Sequence, residues 1–220
     1  NNAIHAGPNL NQTITTSILN LRFGKKLLCF DLQKAFNTLA LNEIDSNKLL
    51  CLWYKNVEKN DFTAVGYRNN RLPFGLRCSP ALLMLALYYI LVLNDNDDTY
   101  VSKLKKEIYS LSYMDNCACT AENSEELMSA YNNLNSIFSP YKFGLQQFIT
   151  NDDIVQKHID KEFETSTEST VKLLGLQWNR VCDTLSTRPL NLNADATTKR
   201  QILSSIASQY DIFNYNGPLL

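Results

Sequence analysis

The sequence predicts an α+β fold built on an antiparallel sheet. Short apolar runs of strand length recur along the chain, and longer segments with apolar residues at helical spacing separate them. Their order reads strand, hairpin, helix, strand pair, helix, strand, strand pair, helix. With 220 residues and 45% hydrophobic content, the chain has ample material for a buried core.

The elements follow from local signals. "KKLLCFD" (25–31) reads as a short buried strand ending at Asp31, and "LQKAFNTLAL" turns away from it. "LLCLWY" follows, and "FTAVGYRNNRLPFG" reads as two short strands around an Arg68-Asn69-Asn70 turn. Ser79 and Pro80 mark a helix start, Ser79 as cap and Pro80 at the first helical position. The helix runs through "PALLMLALYYILVL" (80–93), whose 14 apolar residues fall short of the roughly 20 that cross a bilayer. It reads as a buried helix, and no membrane partner is expected.

A polar spacer, "NDNDDTYVSK", leads to "SLSYMDNCACT" (110–120), a strand-like run with Asp115 and Asn116 at its middle. Asp and Asn tolerate the left-handed backbone of two-residue hairpin loops, so the run reads as two strands with Asp115 at the tip. Ser124, Glu125 and Glu126 open a helix whose Leu127, Tyr131, Leu134 and Phe138 share one face, and "SPYKFG" ends it. "LQQFIT", "VKLLGLQWN" and "TLSTRPL" are three more extended segments, the first followed by a polar connector. "TTKRQILSSIASQYDIF" closes with a helix whose stripe of Ile202, Leu203, Ile206 and Tyr210 reads as core packing.

Composition narrows the function. Twenty-one basic residues against 22 acidic give a formal charge of −1, so any nucleic-acid partner must be held by local cations. Residues of that kind are Lys25, Lys26, Lys34, Arg68, Arg71, Arg77, Lys199 and Arg200. The six cysteines form no CxxC pair and stand apart from His5 and His158, which argues against zinc. Scattered thiols and no leader fit a reducing interior, cytoplasm or nucleus. The opening "NNAIHAG" and the closing "YNGPLL" read as the ends of a fragment.

If the strands carrying Asp31 and Asp115 are neighbours, two carboxylates meet at one edge. That outlines a Mg²⁺ site, because Mg²⁺ takes one or two carboxylates and fills its other positions with water and substrate phosphate. Two such ions clamp the attacking and leaving oxygens of phosphoryl transfer.

"FDLQKAF", "RLPFGLRCSPALLMLAL", "YMDN", "YKFGL" and "LLGLQW" occur in this order, and together they resemble a reverse transcriptase. "GPNLN" and "TKRQILSSIASQYD" look like the Bel/Pao lineage of LTR retrotransposons. The resemblance covers nearly the whole chain. It implies a polymerase palm, with a ferredoxin-like antiparallel sheet packed on helices, plus part of the fingers over 1–180 and the start of the thumb over 181–220.

The resemblance also implies roles. Asp31 and Asp115 match the catalytic aspartates that bind two Mg²⁺ ions, or Mn²⁺ in their place, with the Leu32 carbonyl as a further ligand. Phe36 matches the bulky residue that rejects a 2′-hydroxyl. Phe74, Gly75 and Lys142 match the nucleotide pocket, with Phe74 where retroviral sequences often have Gln, and Gly144 belongs to the same segment. Leu176, Gln177 and Trp178 match the primer grip. Asn116 stands where the family usually has a second Asp, and an amide can accept at its oxygen but brings no charge.

The implied activity is RNA-directed DNA synthesis from deoxynucleoside triphosphates on a template-primer. The remaining fingers, thumb, RNase H and integrase regions would be partners in the parent polyprotein, in a cytoplasmic virus-like particle or the nucleus. Asn116 supports an alternative, a domesticated or decayed copy that binds nucleic acid without polymerising.

Overall fold

The computed structural model describes residues 1–94, 99–163, 168–187, 197–208 and 210–213. Its elements are α1 (Ile14–Asn20), β1 (Lys26–Gln33), α2 (Ala35–Thr38), α3 (Glu43–Ser46), β2 (Leu50–Asn56), β3 (Asp61–Arg68) and α4 (Ser79–Tyr88), which continues as a π-helical turn over Tyr89–Leu93. Then come α5 (Thr99–Leu111), β4 (Asn116–Ala121), α6 (Ser124–Phe138), a 3₁₀ turn (Ser139–Tyr141), β5 (Gly144–Thr150), α7 (Asp153–Glu162), β6 (Thr170–Leu173), β7 (Leu176–Asn179), β8 (Thr184–Ser186) and α8 (Lys199–Ala207). The sheets are ordered β4-β1-β5, β2-β3 and β6-β7-β8, and the fold is α+β as expected.

The chain divides into two units, one of residues 1–11, 31–117 and 132–146, the other of 12–30, 118–131 and 147–220. In the first, Leu83, Met84 and Leu87 of α4 and Leu104, Ile108 and Leu111 of α5 are buried at helical spacing. The apolar run is buried along one face only: Ile90 and Leu91 are buried as well, whereas Leu82, Leu85, Tyr89 and Leu93 are exposed. Ser79 does not cap α4 either. The N-cap is Cys78, and the Ser79 hydroxyl donates to the Pro73 carbonyl at 2.8 Å, tying the helix to the loop before it.

The hairpin also differs from expectation. β2 and β3 pair directly around 57–60, and past the end of β3 at Arg68 the chain makes only an isolated bridge, Arg71 to Ala40, before α4. Trp53, Tyr54 and Phe62 stand exposed on this two-stranded ribbon.

In the second unit the connector after β5 is a helix. The Asp152 side chain accepts from the Ile154 and Val155 N–H groups at 3.0 Å, and Val155 and Ile159 are buried. Lys26 pairs with Asp152 at 2.8 Å and the Ser124 hydroxyl donates to it at 2.6 Å. Burial pushes the Asp152 carboxyl up, but Lys26, Ser124 and the Val155 N–H override it and leave the pKa at about 2.

"VKLLGLQWN" is two strands joined at Leu174 and Gly175, both with positive φ (47° and 91°), the type I′ pattern. A Cβ on Gly175 would lie 2.5 Å from the Tyr210 ring, so glycine is required there twice over. β8 holds only part of the third extended segment, whose residues 188–190 lie outside the described ones, as do 95–98 and 164–167 of the two polar connectors. α8 forms with a Thr198–Gln201 capping box, but its stripe is not core: Ile202 is 47% and Leu203 65% exposed. No helix among the described residues is long and apolar enough to cross a membrane.

Candidate active site

β1 runs past the expected end, so Asp31 lies within the strand, its carboxylate half-buried between the buried Phe30 and Leu32. The other carboxylate arrives on a turn. Tyr113 and Asn116 exchange backbone hydrogen bonds at 2.9 and 3.1 Å, closing a two-residue loop of Met114 and Asp115. Only the second arm is a strand. The first is the C-terminal end of α5, whose Leu104, Ile108 and Leu111 spacing overrides the strand reading.

Met114, not Asp115 or Asn116, takes the left-handed backbone, at φ 58°. A positive φ confined to the first loop residue is the type II′ pattern, which matches the twist of paired strands. The Asn11 amide reaches the Met114 sulfur at 3.6 Å and supports the loop.

The Leu32 N–H donates to the Asp115 carbonyl at 3.0 Å, a main-chain bond that brings Asp31 and Asp115 to the same edge. Burial raises the Asp31 pKa, a hydrogen bond from Gln146 lowers it, and the Asp115 charge raises it further. The Gln146 amide donates to Asp31 Oδ2 at 2.8 Å. The Asn116 amide donates to Asp115 Oδ1 at 3.3 Å, so Asn116 acts here as a donor to the carboxylate beside it.

Cys117 is no nucleophile: burial pushes its thiol up to about 12, against a hydrogen bond from the Ser112 hydroxyl at 3.3 Å. Among the described residues no group of three or more His, Cys, Asp or Glu side chains converges as a metal cage. Two carboxylates and a nearby main-chain carbonyl are hard oxygen donors, the set that suits Mg²⁺ with water and phosphate completing the shell.

Lys34 takes a left-handed backbone at φ 51°, which turns the chain sharply out of β1 into α2. Phe36 on α2 then meets Phe74 edge to face with ring centroids 4.9 Å apart. Phe74 is 64% exposed. Gly75 has φ +82°, and a Cβ there would meet nothing within 4 Å, so its glycine serves the turn and leaves open space above it. Asn1 braces this loop, its amide donating to the Gly75 carbonyl at 2.8 Å and its oxygen accepting from the Arg77 N–H at 3.0 Å. Lys142, at φ 65°, is exposed on the loop leading into β5.

Of the other expected site residues, Leu176 and Trp178 are buried in the second unit, and the Trp178 indole donates to Asp183 at 2.9 Å, leaving Gln177 as the half-exposed member. Several cations expected to face a nucleic acid are engaged within the chain: Lys25 with Glu122, Lys26 with Asp152, Arg68 with Glu43 and Arg71 with the Thr38 carbonyl. Gln146 was missed by sequence reasoning. Its signal was the strand alternation of β5, which places it two residues along from Gly144 on the same face.

The first unit thus carries a two-carboxylate edge on a strand and turn, an edge-to-face aromatic pair and an open glycine turn. The chain belongs to the reverse transcriptase (RNA-dependent DNA polymerase) family, whose model matches residues 4–177. It is also similar in fold to a foamy viral protease-reverse transcriptase solved in complex with an RNA/DNA hybrid, at 16% identity and a TM-score of 0.50. The match covers 77% of this chain and 18% of that one. No curated protein matches the sequence.

Proposed function

We propose that this chain is the palm, with part of the fingers over 1–180 and the start of the thumb over 181–220, of an RNA-directed DNA polymerase of the Bel/Pao lineage. The observation that carries the reading is the Leu32–Asp115 main-chain bond, which sets Asp31 and Asp115 side by side. Asp31, Asp115 and the Leu32 carbonyl would hold the divalent ions. Two Mg²⁺ ions, or Mn²⁺, held there would supply Lewis-acid chemistry, lowering the pKa of the primer 3′-hydroxyl and stabilising the charge on the leaving oxygen.

The chain's own residues supply position. Phe36, held edge to face by Phe74, would occupy the volume a 2′-hydroxyl needs. Gly75 lets backbone approach the incoming deoxynucleoside triphosphate, and Lys142 offers a cation at the pocket's rim. Gln177 would contact the primer end, with Leu176 and Trp178 anchoring its strand in the core. The template-primer and the remaining fingers, thumb, RNase H and integrase regions are the expected partners, in the cytoplasm or nucleus.

Primer extension by the polypeptide that carries this chain tests the reading. Asp31→Ala and Asp115→Ala should each remove nearly all incorporation with little change in melting temperature. Substantial extension by either folded variant would overturn it. The alternative, a decayed copy that binds without polymerising, is favoured by one observation, the Asn116 amide beside Asp115 in place of a carboxylate.

A further inference from the structure

We propose that Gln146 is a positioning residue for nucleotidyl transfer, its side-chain amide holding Asp31 Oδ2 so that Oδ1 is presented to the divalent ions. The inference rests on the reading of Asp31 as a metal ligand. A carboxylate on a strand has rotational freedom about its last bond, and a ligand that turns freely binds a cation less well than one already aimed.

The geometry removes that freedom. Gln146 Nε2 donates to Oδ2 at 2.8 Å, and no other side-chain hydrogen bond reaches Asp31 among the described residues. The contact is built into the sheet. A Cβ at Gly144 would lie 2.8 Å from Gln33 Oε1 and 3.4 Å from Gln33 Cβ, so Gly144 and Gln33 are cross-strand neighbours. Two residues along each strand, in opposite directions, Gln146 and Asp31 form the next pair on the same face.

The strand changes immediately afterwards. Gln147 takes φ 55°, a left-handed conformation uncommon for a residue within a strand, so β5 is locally irregular just past the residue that touches Asp31 before it continues to Thr150. The residue type fits the task. An ammonium or guanidinium in this place would neutralise Asp31 and compete with the metal, whereas an amide donates one hydrogen bond and leaves the full negative charge available.

The test measures Mn²⁺ binding to the chain by the loss of the free-ion electron paramagnetic resonance signal, for wild type, Asp31→Ala and Gln146→Met. Methionine keeps the length of glutamine and removes the donor. Gln146→Met should weaken Mn²⁺ binding about 10- to 100-fold with an unchanged melting temperature. In primer extension it should lower kcat while leaving KM for the nucleotide in place. Equal Mn²⁺ affinity for wild type and Gln146→Met, with binding abolished in Asp31→Ala, would overturn the role of Gln146 and leave the two-aspartate reading standing. Binding unaffected by Asp31→Ala would overturn that reading, and the inference with it.

Should Gln146→Met fail to fold, the wild type still decides. One Nε2 proton of Gln146 should be shifted downfield and exchange slowly in ¹⁵N spectra, and both properties should vanish in Asp31→Ala, which removes the acceptor. Side-chain amide signals identical in the two proteins would overturn the proposal.

Discussion

Phe36 and Phe74 come from different segments, yet their rings meet edge to face at 4.9 Å. Such a pair contributes about 0.5–1.5 kcal/mol beyond area burial, enough to hold a ring that would otherwise turn. Phe36→Ala should therefore raise the ratio of ribo- to deoxynucleotide incorporation by about tenfold or more, as expected for opening apolar volume in a selective pocket. Phe74→Ala should shift the ratio the same way by less, because it frees the ring without removing it. An unchanged ratio in Phe36→Ala would return Phe36 to a packing role.

Asn116 calls for a different test, since it donates to Asp115 Oδ1 at 3.3 Å. Asn116→Asp exchanges that donor for a charge, and one charge pair at 4 Å is worth roughly 4 kcal/mol at an effective dielectric of 20, much of it cancelled by repulsion from Asp115 and desolvation. The net effect should be a lower Mg²⁺ concentration for half-maximal extension. Identical magnesium titrations would mean that Asn116 serves only the turn.

At the scale of elements, α7 is tied to the chain through its cap. Asp152 accepts from two helix N–H groups, Ser124 and Lys26, and its pKa of about 2 lies below the unfolded carboxyl's roughly 3.9. A depressed folded pKa contributes stability that is fully present above the unfolded value and lost as pH falls through the folded one. Unfolding free energy should thus drop by about 2–3 kcal/mol between roughly pH 5 and pH 1 from this group. Denaturant titrations of Asp152→Asn should show lower stability at pH 7 and a flatter dependence across that window. An acid limb as steep as wild type would remove Asp152 from the account.

Sequence reasoning placed Asp31 on a strand and Asp115 at a turn, and stumbled on helices. Asp31 and Asp115 were legible because an apolar run and a turn signal each end or bend at an Asp. α7 was not, because Val155 and Ile159 are its only fully buried apolar residues, among charges that read as a connector. The cap was the overlooked signal: Asp152 and Asp153 at the start with Lys161 in the last turn. α5 was hidden because Ser110 to Tyr113 read as strand, while Leu104, Ile108 and Leu111 already kept helical spacing. α8 shows the converse, a helix correctly placed whose apolar stripe faces outward.

For the whole molecule, charge sets what the chain can grip. The formal charge is −1, and Lys25, Lys26 and Arg68 are already paired with acids. Primer-template binding by the 220-residue chain should be weak, falling about 10- to 100-fold between roughly 50 and 200 mM salt, as roughly two to four phosphate contacts would give. Fluorescence anisotropy across that range checks it, and tight, salt-insensitive binding would show a surface unlike this one. The central claim is that Asp31 and Asp115 together hold divalent metal, and a Mn²⁺ titration of the ¹⁵N-labelled chain tests it most directly. Backbone amides of Leu32, Asp115, Asn116 and Gln146 should broaden first, and Asp31→Asn or Asp115→Asn should abolish the effect. Broadening centred elsewhere, or unchanged in both variants, would contradict the account.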